Sequence, residues 1–193
     1  SIVSMLYNVQ LMKYAGENGV AAYGVLMYVS MIFQAIFIGY SVGVAPIVSY
    51  HYGAGNRDEL KGVFRQSLVL IGIFSILMFF SGEILGKPLS FLFVGYHAEL
   101  LQITVRAFAI FSFVFLFSGL AILGSSFFTA LGDGLTSALI SFLRTLVFQC
   151  LAVILLPLWW GLDGIWISIV VADVMAVAVT TLFLLGKRKK YGY

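Results

Sequence analysis

Of 193 residues, 62% are hydrophobic and 10% charged, with a mean hydropathy of +1.07, where a soluble domain carries about 25% charge; eleven Lys and Arg with eight Asp and Glu do not cover so apolar an interior, which excludes an ordinary soluble globular protein. The net charge of +3 comes largely from one run, Lys187, Arg188, Lys189 and Lys190, so it speaks for membrane topology. A nucleic-acid reader needs a basic stripe with aromatics on a wettable face, whereas here the aromatics sit inside uncharged runs.

A bilayer-crossing helix needs about 20 mostly apolar residues. Residues 1–14 are apolar but too short to span, and the chain begins with Ser, so they read as the tail of a helix whose start is cut off. Five full spans follow at roughly 22–50, 62–81, 100–130, 135–158 and 164–185. Polar, Gly-rich breaks separate them around Gly16-Glu17-Asn18-Gly19, Gly53-Ala54-Gly55-Asn56, Gly86-Lys87-Pro88, Gly132-Asp133-Gly134 and Gly161-Leu162-Asp163-Gly164. Pro88, Gly95 and His97 make 87–99 an expected interfacial loop. Alternating the spans puts Arg57, Lys61, Arg65 and the terminal basic run on one side, with Lys13, Lys87 and Arg106 on the other. The positive-inside rule makes the first side cytoplasmic. The expectation is an all-α, polytopic transmembrane helix bundle ending in a basic cytoplasmic tail, 187–193.

In the first full span, Tyr23, Ser30, Gln34 and Ser41 fall within about 40° of one another, with Met27 beside them. That face suits a wet cavity. Opposite lie Ala35, Gly39, Gly43 and Pro46; the Gly39/Gly43 pair suits close helix packing, and Pro46 suits a bend. In the span from Leu100, an aromatic stripe of Phe108, Phe111 and Phe115, flanked by Thr104 and Gly119, is either plain packing or a surface for flat cations.

Two charges lie deep in spans, where each is costly and marks a functional position by default. Arg144 and Asp173 sit on consecutive antiparallel helices at depths differing by about 5 Å, so a direct pair is geometrically possible. It is either a register lock or a coupling group whose protonation follows its distance from Arg144. Arg106, near the outer boundary, can snorkel. The lone Cys150 forms no internal disulfide. His51 and His97 are isolated, and no HExxH, catalytic carboxylate pair or phosphate-binding loop is present. No metal site, cofactor or enzyme activity is expected.

The run Pro46-Ile47-Val48-Ser49-Tyr50-His51-Tyr52-Gly53-Ala54-Gly55-Asn56, followed by Leu60-Lys61, closely resembles the end of the eighth helix of the multidrug and toxic compound extrusion (MATE) family. Two further blocks agree in order and spacing: Phe127-Phe128-Thr129-Ala130-Leu131-Gly132, and Ser141-Phe142-Leu143-Arg144 leading to Leu156-Pro157, Gly161-Leu162-Asp163-Gly164-Ile165-Trp166 and Ala172-Asp173. Asn8 matches an asparagine common in the seventh helix. The resemblance covers essentially the whole chain but only the C-terminal half of the family's twelve helices. It implies a six-helix lobe over 1–186 with its first helix truncated, whose missing N-terminal lobe belongs to the same chain. It further implies a secondary antiporter of a bacterial plasma (inner) membrane, whose two lobes rock to export small cationic drugs or dyes against H+ or Na+.

The cavity candidates are then Asn8, Ser30, Gln34, Ser41, Phe108, Phe111 and Phe115. One departure stands out: the sodium-coupled branch places an acid in the middle of the tenth helix, yet nothing between Arg106 and Asp133 is acidic. Coupling would rest on the missing lobe, with Asp173 a minor candidate. The partners implied are the drugs, the other lobe and membrane lipids, with no nucleic acid. Two rivals are a lipid-linked oligosaccharide flippase of the same superfamily, which needs several cavity cations to hold a diphosphate, and a structural membrane subunit or channel.

Overall fold

The computed structural model describes all 193 residues, and they form a helical bundle. Its elements are α1 (Ile2–Gly53), α2 (Arg57–Val94), α3 (Ala98–Phe111), α4 (Val114–Ala130), α5 (Gly134–Phe142), a π-helical segment (Leu143–Phe148), α6 (Gln149–Leu155) and α7 (Pro157–Tyr191). Four helical stretches are long and apolar enough to cross a membrane, and the bent pair α3–α4 makes a fifth. Side chains such as Ile32, Leu77, Leu92 and Leu182 stand more than half exposed on the outside, part of an apolar surface far larger than a soluble monomer leaves bare. This is an integral membrane protein.

Two glycines divide the longest elements. Gly16 in α1 (φ 60°, ψ −150°) and Gly161 in α7 (φ 58°, ψ −133°) take backbone conformations essentially confined to glycine, so each element is two helices meeting at a kink. Both kinks lie at the end of the bundle where Arg106 of α3 donates to Asp163 at 2.7 and 2.5 Å. Arg106 therefore does more than snorkel: it ties α3 to the start of the last span.

The segment 87–99 is not the loop expected. Helix α2 runs through Pro88 to Val94, and His97 caps the next helix by accepting from the Leu100 amide at 3.2 Å. Packing overrides the proline here. A methyl placed on Gly82 would stand 2.9 Å from Ser112 Cβ, and one on Gly86 3.1 Å from Phe108 Cβ, so α2 presses bare backbone onto α3 and the α3–α4 bend. The span 100–130 is likewise not one straight helix. It bends by 51° between Phe111 and Val114, where the Ser112 hydroxyl bonds to Glu83 and to the Ala109 carbonyl, a local competition with the backbone ladder that bends helices.

The main core lies between α1, α3–α4 and α6–α7, around Tyr7, Phe108, Phe111, Phe115, Val153 and Trp166. A second core closes the opposite end, around Leu60, Phe127, Phe128, Ile140, Tyr191 and Tyr193. Residues 187–193 are not a free tail. Helix α7 continues to Tyr191, and Tyr191 and Tyr193 are buried. Asp133 organises them: it caps α5 through the Thr136 amide at 3.1 Å, and accepts from Lys187 Nζ at 2.6 Å and Tyr191 Oη at 2.7 Å.

Burial alone would push the Asp133 carboxyl upward, but the bonds from Lys187, Tyr191 and Thr136 outweigh it and hold the group well below the usual aspartate range. A folded-state value below the unfolded one stabilises above the unfolded pKa and fades as pH falls through it toward the folded value. The thermal stability advantage of wild type over Asp133→Asn is therefore expected to be constant from pH 7 to 5 and to shrink below about pH 4. Melting both proteins across that range checks it; an advantage that does not change with pH contradicts it.

Candidate functional site

A cavity of about 320 Å³ opens where α1, the α3–α4 bend, the π segment and α7 converge. From α1 come Tyr7, Tyr23, Met27, Ser30, Met31, Gln34 and Ile38; from the bend, Phe111 and Val114. The third wall is Arg144, Thr145 and Gln149, and the fourth Ile169 and Asp173. It is mostly apolar with a few convergent polar groups, the usual constitution of a small-molecule site.

The polar groups are fixed by one another. Arg144 Nε donates to Asp173 Oδ1 at 2.8 Å, with the Asp173 side chain 1% and that of Arg144 16% exposed. The pair is close to neutral as a unit, which lets two charges sit inside a membrane bundle. Gln34 Nε2 donates to Ser30 Oγ at 3.1 Å. Tyr7 Oη and Ser168 Oγ lie 2.8 Å apart, and the Tyr7 ring stacks on Tyr23 at 5.4 Å between centroids, tilted by only 2°. Along the wall, a hydroxyl-lined recess of about 240 Å³ shares Ile38, Arg144 and Thr145 with the cavity and adds Ser41, Ser125, Ser126 and Ser141. Ser125 Oγ lies 2.9 Å from Ser137 Oγ and 2.8 Å from Ser141 Oγ, while Ser41 Oγ is buried without a partner.

The π segment explains how one helix places three polar side chains on this wall. On a regular helix Arg144 and Gln149 point about 140° apart, but the wider π turn bonds i to i+5 and brings such residues toward one face. Single π turns inside α-helices are frequent at functional sites.

Of the residues singled out in the sequence, Tyr23, Met27, Ser30, Gln34, Phe111, Arg144 and Asp173 come together here. Ser41 belongs to the hydroxyl recess. Phe108 and Phe115 do not line the cavity. They are 1% and 0% exposed, and pack on Gly86 and on Gly82, Phe33 and Phe111 respectively, so most of the aromatic stripe is core. Asn8 is exposed and off the lining, and its neighbour Tyr7 takes the wall position. Gly39, Gly43 and Pro46 are also exposed. Nothing lies within 4 Å of a methyl built on either glycine, so that face packs no helix of this chain. Tyr7, Met31, Ile38, Val114, Thr145, Gln149 and Ile169 were missed; the legible signal was Gln149, a polar side chain deep in an apolar span.

The family model MatE matches residues 1–155. Among solved structures, a multidrug resistance MATE family transporter of the MOP superfamily superposes in its outward-facing conformation with a TM-score of 0.91 at 20% identity, covering 98% of this chain and 43% of that one. Its inward-facing counterpart gives 0.92 at 19%, covering 98% and 44%. A MOP superfamily transporter from Pyrococcus furiosus, whose structure is described as having a binding pocket of reverse polarity that suggests a different function, gives 0.91 at 19%, covering 100% and 43%. The chain thus spans well under half the length of the structures it matches. No curated protein matches it.

Proposed function

The chain belongs to the MatE family, and on that premise we propose that it forms the C-terminal lobe of a secondary transporter that exports cationic amphipathic compounds in antiport with H+ or Na+. The observation that carries this reading is the cavity itself: apolar and aromatic walls, a few uncharged polar groups, and one charge pair that cancels internally. Such a site accepts a flat, weakly solvated cation through Tyr23 and the Met side chains without offering a competing cationic surface. The flippase reading fits less well. Arg144 is the sole cation on the wall and its charge is compensated by Asp173, so the several free cations that a diphosphate needs are not there.

One lobe superposes almost equally on outward- and inward-facing relatives, as rigid lobes rocking about a shared cavity require. Ion binding drives such rocking only by its differential affinity for the two states. Asp173, paired here with Arg144, is this lobe's candidate for sensing that difference. The end carrying Arg57, Lys61, Arg65 and the terminal basic run is taken as cytoplasmic, in a bacterial inner membrane.

Gln34→Leu and Gln149→Leu test the cavity assignment in the full-length protein. Each removes one polar contact of about 1 kcal/mol, so the half-saturating dye concentration for efflux should rise roughly fivefold while expression and monodispersity stay unchanged. Efflux kinetics identical to wild type in both variants would remove this cavity from the substrate path.

A further inference from the structure

A second cavity, of about 460 Å³, lies on another side of the bundle and shares no residue with the first. Its construction is regular. Helix α2 presents Lys61, Phe64, Arg65 and Leu68, and α7 presents Thr181, Leu184, Leu185 and Arg188, each set one helical stripe at i, i+3, i+4 and i+7. Both helices pack on α4 rather than on each other, and Leu120 of α4 floors the gap they leave.

Polarity changes with depth. Arg188, Lys61 and Arg65 stand toward the basic end of the bundle, while Leu68 and Thr181 lie up to two turns further in, about 10 Å from the mouth. No acidic side chain lines the groove. The charges are only lightly engaged: Lys61 stands 3.9 Å from an exposed Asp58 outside the lining, and Arg188 donates through Nε alone, to the backbone oxygen of Tyr193, which also lines the groove, at 3.1 Å.

We propose that this groove is a binding site for an anionic phospholipid of the surrounding bilayer, with its phosphate held by Lys61, Arg65 and Arg188 and the start of an acyl chain laid along Phe64, Leu68, Leu120 and Leu185. Three cations above an apolar floor, between helices at the basic end of a membrane bundle, complement a headgroup joined to a hydrocarbon chain. A soluble anion would use only the upper half of the site. A zwitterionic lipid would set its ammonium against three like charges.

The test uses the full-length protein, purified in detergent and stripped of lipid, with bound lipid counted by native mass spectrometry. Each basic residue beside an anionic headgroup strengthens binding roughly fivefold, so phosphatidylglycerol should be retained at least about tenfold over phosphatidylcholine. The variant Lys61→Gln/Arg65→Gln/Arg188→Gln should lose that preference, and Lys189→Gln/Lys190→Gln, which alters the same end outside the groove, should keep it. Leu185→Trp fills the groove from its exposed rim with every charge intact. It should also lose the preference, and it carries the test if the triple variant does not fold. The proposal fails if the triple variant or Leu185→Trp binds like wild type, if Lys189→Gln/Lys190→Gln loses as much as the triple variant, or if inorganic phosphate displaces the lipid at equal concentration, which would mark a free-anion site.

Discussion

Asp173→Leu in the full-length protein is expected to destabilise the lobe by about 3–5 kcal/mol, the cost of leaving one member of a buried ion pair uncompensated. The stranded group is Arg144, whose side chain is 16% exposed and whose Nε has its bond to Asp173 Oδ1 at 2.8 Å. Arg144→Leu should cost a similar amount by stranding Asp173, which is buried more completely. Arg144→Leu/Asp173→Leu should recover most of the loss, because replacing both partners by apolar groups of similar volume is often neutral or stabilising.

The double variant separates structure from coupling. If the pair only locks α7 against the π segment, a folded double variant should transport with wild-type ion dependence. Retained ion dependence is the expected result, since coupling is assigned to the other lobe; a folded double variant that loses the dependence of efflux on the imposed gradient would instead mark Asp173 as the ion sensor. Detergent thermal melts and vesicle flux read the two outcomes independently. Single variants as stable as wild type would remove the pair from any account of this lobe.

The second large effect lies where α4 crosses α7. A methyl on Gly124 would collide with the Thr180 Cγ2 methyl, in a site where Thr180 is fully buried and its hydroxyl has no partner. Gly124→Ala is expected to cost about 1–3 kcal/mol as overpacking. Thr180→Ala removes the colliding methyl and an unsatisfied hydroxyl together, so alone it should cost less. In Gly124→Ala/Thr180→Ala the two β carbons would be 3.7 Å apart, an ordinary contact, and the double variant should be no less stable than Thr180→Ala. A double-mutant cycle on thermal stability gives the coupling; purely additive effects would mean that the helices shift apart instead.

Composition and hydropathy carried the membrane class, since the requirement of about 20 apolar residues is imposed by the bilayer and not by the partner helices. Side choice within the bundle was less legible. Gly39/Gly43 and Gly82/Gly86 have identical spacing, yet the first pair faces outward and the second packs on Ser112 and Phe108. Spacing says that a close approach is possible, and only the neighbour's position says which pair uses it. The same limit turned Phe108 and Phe115 from cavity candidates into core. Gln149 was legible as a polar residue in an apolar span, but the side it faces was not: a wheel drawn at 100° per residue misplaces every residue beyond a π turn. Helix α2 outlasted Pro88 because tertiary contacts at Gly82 and Gly86 outweigh a local breaker, a balance no single-segment reading contains. Lys187 falls within the expected basic cytoplasmic tail, and its bond to Asp133 was not legible because that partner is 54 residues away.

Ethidium efflux from everted membrane vesicles carrying the full-length protein, measured under an imposed proton gradient and then an imposed sodium gradient, tests the central claim most directly. Flux driven by at least one of the two gradients, and abolished when that gradient is collapsed, is the predicted result. Absence of gradient-driven flux from vesicles whose protein is folded and abundant would contradict the assignment of this lobe to a drug antiporter.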